Sequence, residues 1–179
     1  MHMKNLLYIL LIAIAFVGCN GSPEKPKEIS QLALHEKASV NKEASENVKR
    51  DSIIAFAKKY MGTKYCYASE DPAKGFDCSG FVHYVYKHFD INLPRSSSGF
   101  KDIGVAKKPA DFMVGDILVF YGHKDSTSIG HLGIITVANG MQSKFIHASS
   151  GKEMAVTVSE LGSEGYTHRF YKCINPFAL

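Results

Sequence analysis

The chain has 179 residues, enough for one domain and little more, and its 45% apolar and 21% charged content is ordinary for a globular protein that buries a core. The formal charge of +4 is modest and the lysines are scattered with no basic run. Nucleic-acid binding is therefore excluded as the expected role.

The N-terminus differs in kind from the rest. Lys4 precedes an apolar run from Leu6 to Val17, followed by Gly18-Cys19. The run is short for a bilayer span and has the charged-then-apolar order of an export signal. Its end, a small residue and then cysteine, resembles a bacterial lipoprotein cleavage site, although Phe16 is a less usual residue at its position. That resemblance implies a signal peptide over residues 1–18 and lipidation of Cys19. The protein is then expected to be lipid-anchored to a bacterial membrane, with its domain facing the periplasm or exterior. The competing reading keeps the run as an uncleaved anchor; both place the domain outside the cytoplasm. From Asn20 to about Arg50 the composition turns polar, with Pro23 and Pro26 and too few large apolar residues for a core. Residues 19–50 read as a tether, with Ile29 to Lys49 a candidate helix.

Residues 51–179 read as the folded domain. Asp51 opens an amphipathic stretch through Met61, apolar with helical spacing and stopped at Gly62. Tyr65 to Gly75 is a loop rich in Ser, Asp, Pro and Gly. A second helix is expected from Cys78 to Phe89, broken before Pro94, and a short third from Ser96 to Ile103. After Gly115 the pattern changes to short β-rich segments: Asp116–Tyr121, His131–Val137, Lys144–Ala148, Met154–Val158 and His168–Ile174. Helices first and strands afterwards indicate an α+β domain, helices packed on an antiparallel sheet of about five or six strands.

Cys78 carries the chemistry. It lies in Gly75-Phe76-Asp77-Cys78-Ser79-Gly80-Phe81, on the first turn of the second helix, where unpaired N–H groups are expected to favour thiolate and lower the thiol pKa. Two histidines follow in strand-like surroundings, His131 in Gly130-His131-Leu132-Gly133 and His147 in Phe145-Ile146-His147-Ala148-Ser149. Cysteine, histidine and a second polar group in that order suit a nucleophile with a base and an orienter. His83, His88, His123 and His168 compete for these roles and read as structural or surface residues. No Cys-x-x-Cys pair or His-Glu-x-x-His helix is present, so no metal or other cofactor is expected. Cys66 and Cys173 either pair, which an oxidising compartment permits, or stay as free thiols; their positions do not choose.

These motifs, with Leu93-Pro94-Arg95-Ser96 and Val114-Gly115-Asp116-Ile117, resemble the NlpC/p60 family of papain-like cell-wall peptidases over nearly all of residues 51–179. The resemblance implies a cysteine endopeptidase that cuts stem peptides of peptidoglycan, with Cys78 as nucleophile, His131 as base and His147 as third member. It further implies that Tyr65, in Gly62-Thr63-Lys64-Tyr65, joins the Cys78 backbone N–H in binding the oxyanion, and that Tyr65, Asp77, Ser79, Arg95 and Ser96 meet substrate. The chain departs from the family pattern at Ala68-Ser69, where two glycines are common. It also has a neutral Ser96, where relatives that require a free stem-peptide amino terminus carry an acid. Intact stem peptides joined to glycan are therefore expected as substrates of a monomer. The alternatives are a non-catalytic wall-binding lipoprotein, and an amidase or acyltransferase using the same thiol.

Overall fold

The computed structural model describes residues 26–123 and 125–179. Cys19 and the apolar run before it lie outside the described residues, and no helix among those described is long and apolar enough to cross a membrane. The chain divides into two units, Met1–Val40 and Asn41–Leu179. A first helix, α1 (Pro26–Lys58), is continuous through the expected tether. Proline suits its start because the missing N–H has no intrahelical partner there. Gly62, with φ of 80°, lies just beyond its end.

Within Asn41–Leu179, Ile53, Ile54 and Ala57 of α1 are buried at helical spacing. The buried unit reaches back past the expected start at Asp51, because Arg50 is only 2% exposed. Its guanidinium donates to the Val114 carbonyl at 2.9 Å, to Asp116 Oδ1 at 3.0 Å and to Asn175 Oδ1 at 2.8 Å. Asp116 is fully buried and also accepts from Lys107 and the Met113 N–H. This network joins α1 to the start of the sheet and to the chain's last turn.

The loop after Tyr65 contains a small hairpin, β1 (Glu70–Asp71) against β2 (Gly75–Phe76), which the loop reading did not anticipate. Then comes α2 (Cys78–Lys87), two residues shorter than expected. Ser97–Phe100 is a single 3-10 turn in place of the third helix. The strands are β3 (Ile117–Tyr121), β4 (Ile129–Val137), β5 (Lys144–Ala148), β6 (Val156–Glu160) and β7 (Phe170–Ile174). They form one antiparallel sheet in the order β6-β5-β4-β3-β7, which bears out the α+β expectation at five strands.

Several strand boundaries differ from expectation, β4 for one beginning at Ile129, and two of the differences have a plain physical reason. Met154 has φ of 45°, a left-handed conformation that cannot continue a strand, so β6 begins at Val156. His168 and Arg169 close a short helix, α3 (Glu164–Arg169), which occupies the start of the expected last strand. Six residues carry too little periodicity to reveal such a helix.

Both sheet faces are covered. Ile117, Val119, Leu132, Ile134, Ile146 and Ile174 face the core shared with α1 and α2. Leu118, Phe120, Ile135, Phe145 and Cys173 alternate to the opposite face, under Tyr166 and Phe170. Gly133 is required there: a β-carbon would collide with the Phe145 ring of the neighbouring strand.

Candidate active site

The end of β2 and the start of α2 build one side of the site. Asp77 caps α2, accepting from the Gly80 N–H at 2.6 Å and from Ser79 Oγ at 3.1 Å. Gly80 admits no side chain because a β-carbon would meet the Ser69 carbonyl. Cys78 is thereby held on the first helical turn at 8% exposure. Its Sγ lies 3.7 Å from the Gly130 carbonyl and also meets the Leu132 N–H, so it contacts the β4 backbone on either side of His131.

The expectation of a lowered thiol pKa is overturned. Burial, followed by the charge of Asp77, pushes the Cys78 thiol up to about 11, and the facing N–H groups of Leu132, Ser79 and Cys78 itself only partly offset this. The helix N-terminus points the right way, but its cap is a carboxylate beside a sulfur with little water.

β4 and β5 supply the histidines. His131 Nε2 and His147 Nδ1 are 2.9 Å apart, with the rings perpendicular, and both residues are buried. His147 Nε2 in turn is 2.9 Å from Ser159 Oγ on β6 and 3.3 Å from the Tyr166 hydroxyl on α3. Burial, with the nearby charges of His147, Arg169 and His123, holds His131 well below the usual imidazole range. Burial and Arg169 lower His147 to about 4. Near neutral pH both rings are therefore uncharged. Two proton orders satisfy these contacts, because the Ser159 and Tyr166 hydroxyls can each donate to or accept from His147 Nε2; the order that leaves His131 Nδ1 as the free base has His131 Nε2–H donating to His147 Nδ1 and His147 Nε2–H donating to Ser159.

A cleft of about 420 Å³ opens over the thiol, bordered by Tyr65, Asp77, Cys78, Ser79, Arg95 and Ser96. Six of the residues expected from the motifs thus share one cleft, and His131 and His147 lie beyond its Gly130 edge. Tyr65 is pushed up to about 12 by burial and by the adjoining Cys78 and Asp77. Its phenol stays protonated, a donor at the cleft wall. Arg95 is engaged by protein: Nη1 and Nη2 form a two-point pair with Asp77 at 3.0 and 2.9 Å, and Nε is 3.1 Å from Glu70. Ser96 is exposed, its Oγ 3.0 Å from Ser98 Oγ.

Four participants escaped sequence reasoning. Ser159 and Tyr166 complete the polar line behind His147, and Glu70 and His83 complete the one behind Arg95, with His83 Nδ1 2.7 Å from Glu70 Oε2. None belongs to a local motif; the pairing of β5 with β6, the short α3 and the β1 hairpin bring them in. Cys66, Cys78 and Cys173 are all free, so Cys66 and Cys173 do not pair, and no cluster of metal-ligating side chains occurs among the described residues.

The chain matches the NlpC/P60 family over residues 62–175. It is 32% identical over 114 residues to gamma-DL-glutamyl hydrolase of Bacillus subtilis (strain 168), covering 64% of this chain and 27% of that protein. It is 32% identical to gamma-D-glutamyl-L-lysine dipeptidyl-peptidase of Bacillus cereus, covering 67% and 34%. It is 33% identical to murein DD-endopeptidase MepH of Escherichia coli, covering 69% and 45%. The chain thus spans less than half the length of these relatives. The crystal structure of an NlpC/P60 family protein from Bacillus cereus superposes with a TM-score of 0.61 at 28% identity, over 70% of this chain and 39% of the other.

Proposed function

This chain belongs to the NlpC/P60 family, and from that premise we propose that it is a peptidoglycan endopeptidase that cleaves stem peptides through a thioester on Cys78. The observation that carries the reading is the buried line from His131 through His147 to Ser159, starting where the Cys78 thiol meets β4. A module that only bound wall material would have no use for a thiol on a helix start that meets the strand carrying an uncharged, histidine-backed base.

The chemistry follows from the resting charges. With the thiol raised and the imidazole lowered, the ground state is neutral thiol and neutral His131. As a peptide carbonyl settles over the thiol, Sγ bonds to its carbon and the S–H proton passes to His131 Nδ1. The Tyr65 hydroxyl and the Cys78 N–H receive the charge that develops on oxygen. His147 accepts from the imidazolium and prevents the ring from turning. The C–N bond then breaks, and His131 returns its proton to the leaving amine. Water next attacks the thioester carbon, His131 taking its proton, and the C–S bond breaks to restore the thiol.

The bond proposed is the γ-D-glutamyl bond, supported by the activities for which two of the relatives are named. Glycan-linked stems are proposed as substrates. Ser96 is neutral, both oxygens of Asp77 are engaged by Arg95, and Glu70 is shared between Arg95 and His83. An ammonium desolvated at this end of the cleft would find no free counter-charge. Lipidation at Cys19 and a position outside the cytoplasm are proposed on the sequence before the described residues. The deciding experiment is mass spectrometry of peptidoglycan digested with the purified protein. Fragments ending in γ-D-glutamate, absent with Cys78→Ala, are expected. An unchanged digest, or the same fragments from the variant, overturns the reading.

A further inference from the structure

Tyr67 is the most exposed aromatic side chain among the described residues, at 85%, and it stands on a turn that holds it in water. The Ser69 N–H donates to the Cys66 carbonyl at 3.2 Å, closing a four-residue turn with Tyr67 and Ala68 at its tip. Both ends are anchored: the Cys66 N–H donates to the Phe76 carbonyl on β2, and the N–H of the α2 cap Asp77 donates to the Ser69 carbonyl, each at 2.9 Å. Ala68 has φ of 56°, a left-handed conformation that favours glycine and that alanine adopts at a cost. Tyr67 packs against neither face of the core, and among the described residues no other ring lies on it. Packing therefore does not account for the ring; an anchored and strained turn keeps it outward.

This turn is also a wall between two cavities. The cleft over Cys78 lies on one side and a larger cavity, of about 850 Å³, on the other; Tyr67 and Ala68 border both. The larger cavity runs along β1 to Tyr84, Lys87 and His88, which share one face at the end of α2. Its polar groups are spread around the ring. Among the described residues no carboxylate pairs with Lys87, whereas Asp71 is paired with Lys74 at 3.3 Å. Ser69 Oγ accepts from the Asp71 N–H at 3.3 Å, which leaves its own O–H to donate. An exposed aromatic face ringed by donors suits a sugar: the C–H face of the pyranose lies on the ring while hydroxyl and N-acetyl groups pair around the edge.

A glycan-linked stem brings a sugar to this point. On the acyl side of a γ-D-glutamyl bond stand D-glutamate and one alanine, and two residues reach only about 7 Å from the thiol. The sugar that carries the alanine therefore begins at the rim of the cleft, and the rim made by Tyr67 has a second cavity behind it. We propose that this cavity is a glycan-binding site, with Tyr67 the platform on which the N-acetylhexosamine nearest the stem peptide stacks and with Lys87 and Ser69 donating to its polar groups. This rests on glycan-linked stems being substrates and adds what holds the glycan.

Two substrates with the same stem and no free amino terminus test it: the disaccharide tetrapeptide GlcNAc-MurNAc-L-Ala-γ-D-Glu-X-D-Ala and the N-acetylated tetrapeptide, each made with L-lysine and with meso-diaminopimelate as X. The full chain is expected to favour the disaccharide form by about tenfold or more in kcat/KM, chiefly through KM. Tyr67→Ala should erase most of that ratio and Tyr67→Phe should keep it, while Lys87→Gln should lower it about threefold. Equal rates, a preference for the acetylated peptide, or a ratio unchanged in Tyr67→Ala overturns the glycan site and leaves the peptidase intact. If no substrate is cut, the peptidase reading fails instead. The site is then read from Cys66, a free thiol bordering the same cavity. In Cys78→Ala protein, saturating disaccharide tetrapeptide is expected to slow N-ethylmaleimide labelling of Cys66, followed by mass spectrometry, about fivefold, and the acetylated peptide to slow it less. Labelling equally fast with and without the disaccharide peptide overturns the site.

Discussion

A raised thiol pKa at Cys78 and a lowered imidazole pKa at His131, on the strand that the thiol meets, fix what each substitution in the site should do. Cys78→Ser keeps shape but not nucleophilicity, and Cys78→Ala removes the attacking atom; both are expected to abolish hydrolysis with the thermal midpoint little changed. His131→Ala should cost on the order of a thousandfold or more in kcat. His147→Ala should cost about ten- to a hundredfold, because it holds the ring but stands outside the proton path. Tyr65→Phe removes one donor to the oxyanion and should lower kcat about a hundredfold with KM little changed. The pH profile follows from the direction of the His131 shift. A base whose pKa lies well below 6.5 stays unprotonated as pH falls through that value, so the acid limb of kcat/KM should have its midpoint below 6.5. A midpoint at or above 6.5, or fast alkylation of Cys78 by iodoacetamide at mildly acidic pH, would show instead that the resting pair is thiolate and imidazolium.

At the level of elements, the site is a junction between one helix start and three strands, and its parts were unequally legible in the sequence. The motif around Cys78 is local, so the residues that cap, turn and expose the thiol lie within a few positions of it. His131 and His147 fall on strands whose β-rich character is plain, and the resemblance joins them. Ser159, Tyr166 and Glu70 were not legible, because their parts depend on which strand neighbours which, on a six-residue helix and on a hairpin of two-residue strands. The same holds for Arg50, which composition assigned to a polar tether. Its partner Asp116 is fully buried beside Cys173 and Tyr86, and burial with that carboxylate's charge raises both. Arg50→Ala leaves Asp116 with Lys107 as its one cationic partner and removes two other anchors of α1, to the Val114 carbonyl and Asn175. A loss of about 3 kcal/mol or more is expected in urea denaturation. Activity per folded molecule should be retained, since none of these groups borders the cleft.

For the whole molecule the buried histidines set the stability in acid. The folded-state pKa of His147 is about 4, below the 6.5 of an unfolded histidine, so between these values the unfolded chain binds the extra proton. Stability should fall as pH drops from about 6.5 to about 4, by about 3 kcal/mol for this group, and denaturation midpoints across that range measure it. His147→Gln should flatten the dependence. The other property at this scale is the separation of attachment from chemistry. Every residue bordering the cleft or the histidine line belongs to Asn41–Leu179, whereas the proposed lipid site is Cys19. Changing Cys19 should therefore alter where the protein is without altering what it does. Cys19→Ala is expected to move the protein into the soluble fraction of detergent-free extracts, with an unchanged kcat/KM on a soluble stem peptide. Retention of the variant in membranes would mean that the apolar run itself is the anchor. Lost activity on soluble peptide would mean that residues before Asn41 take part in forming the site.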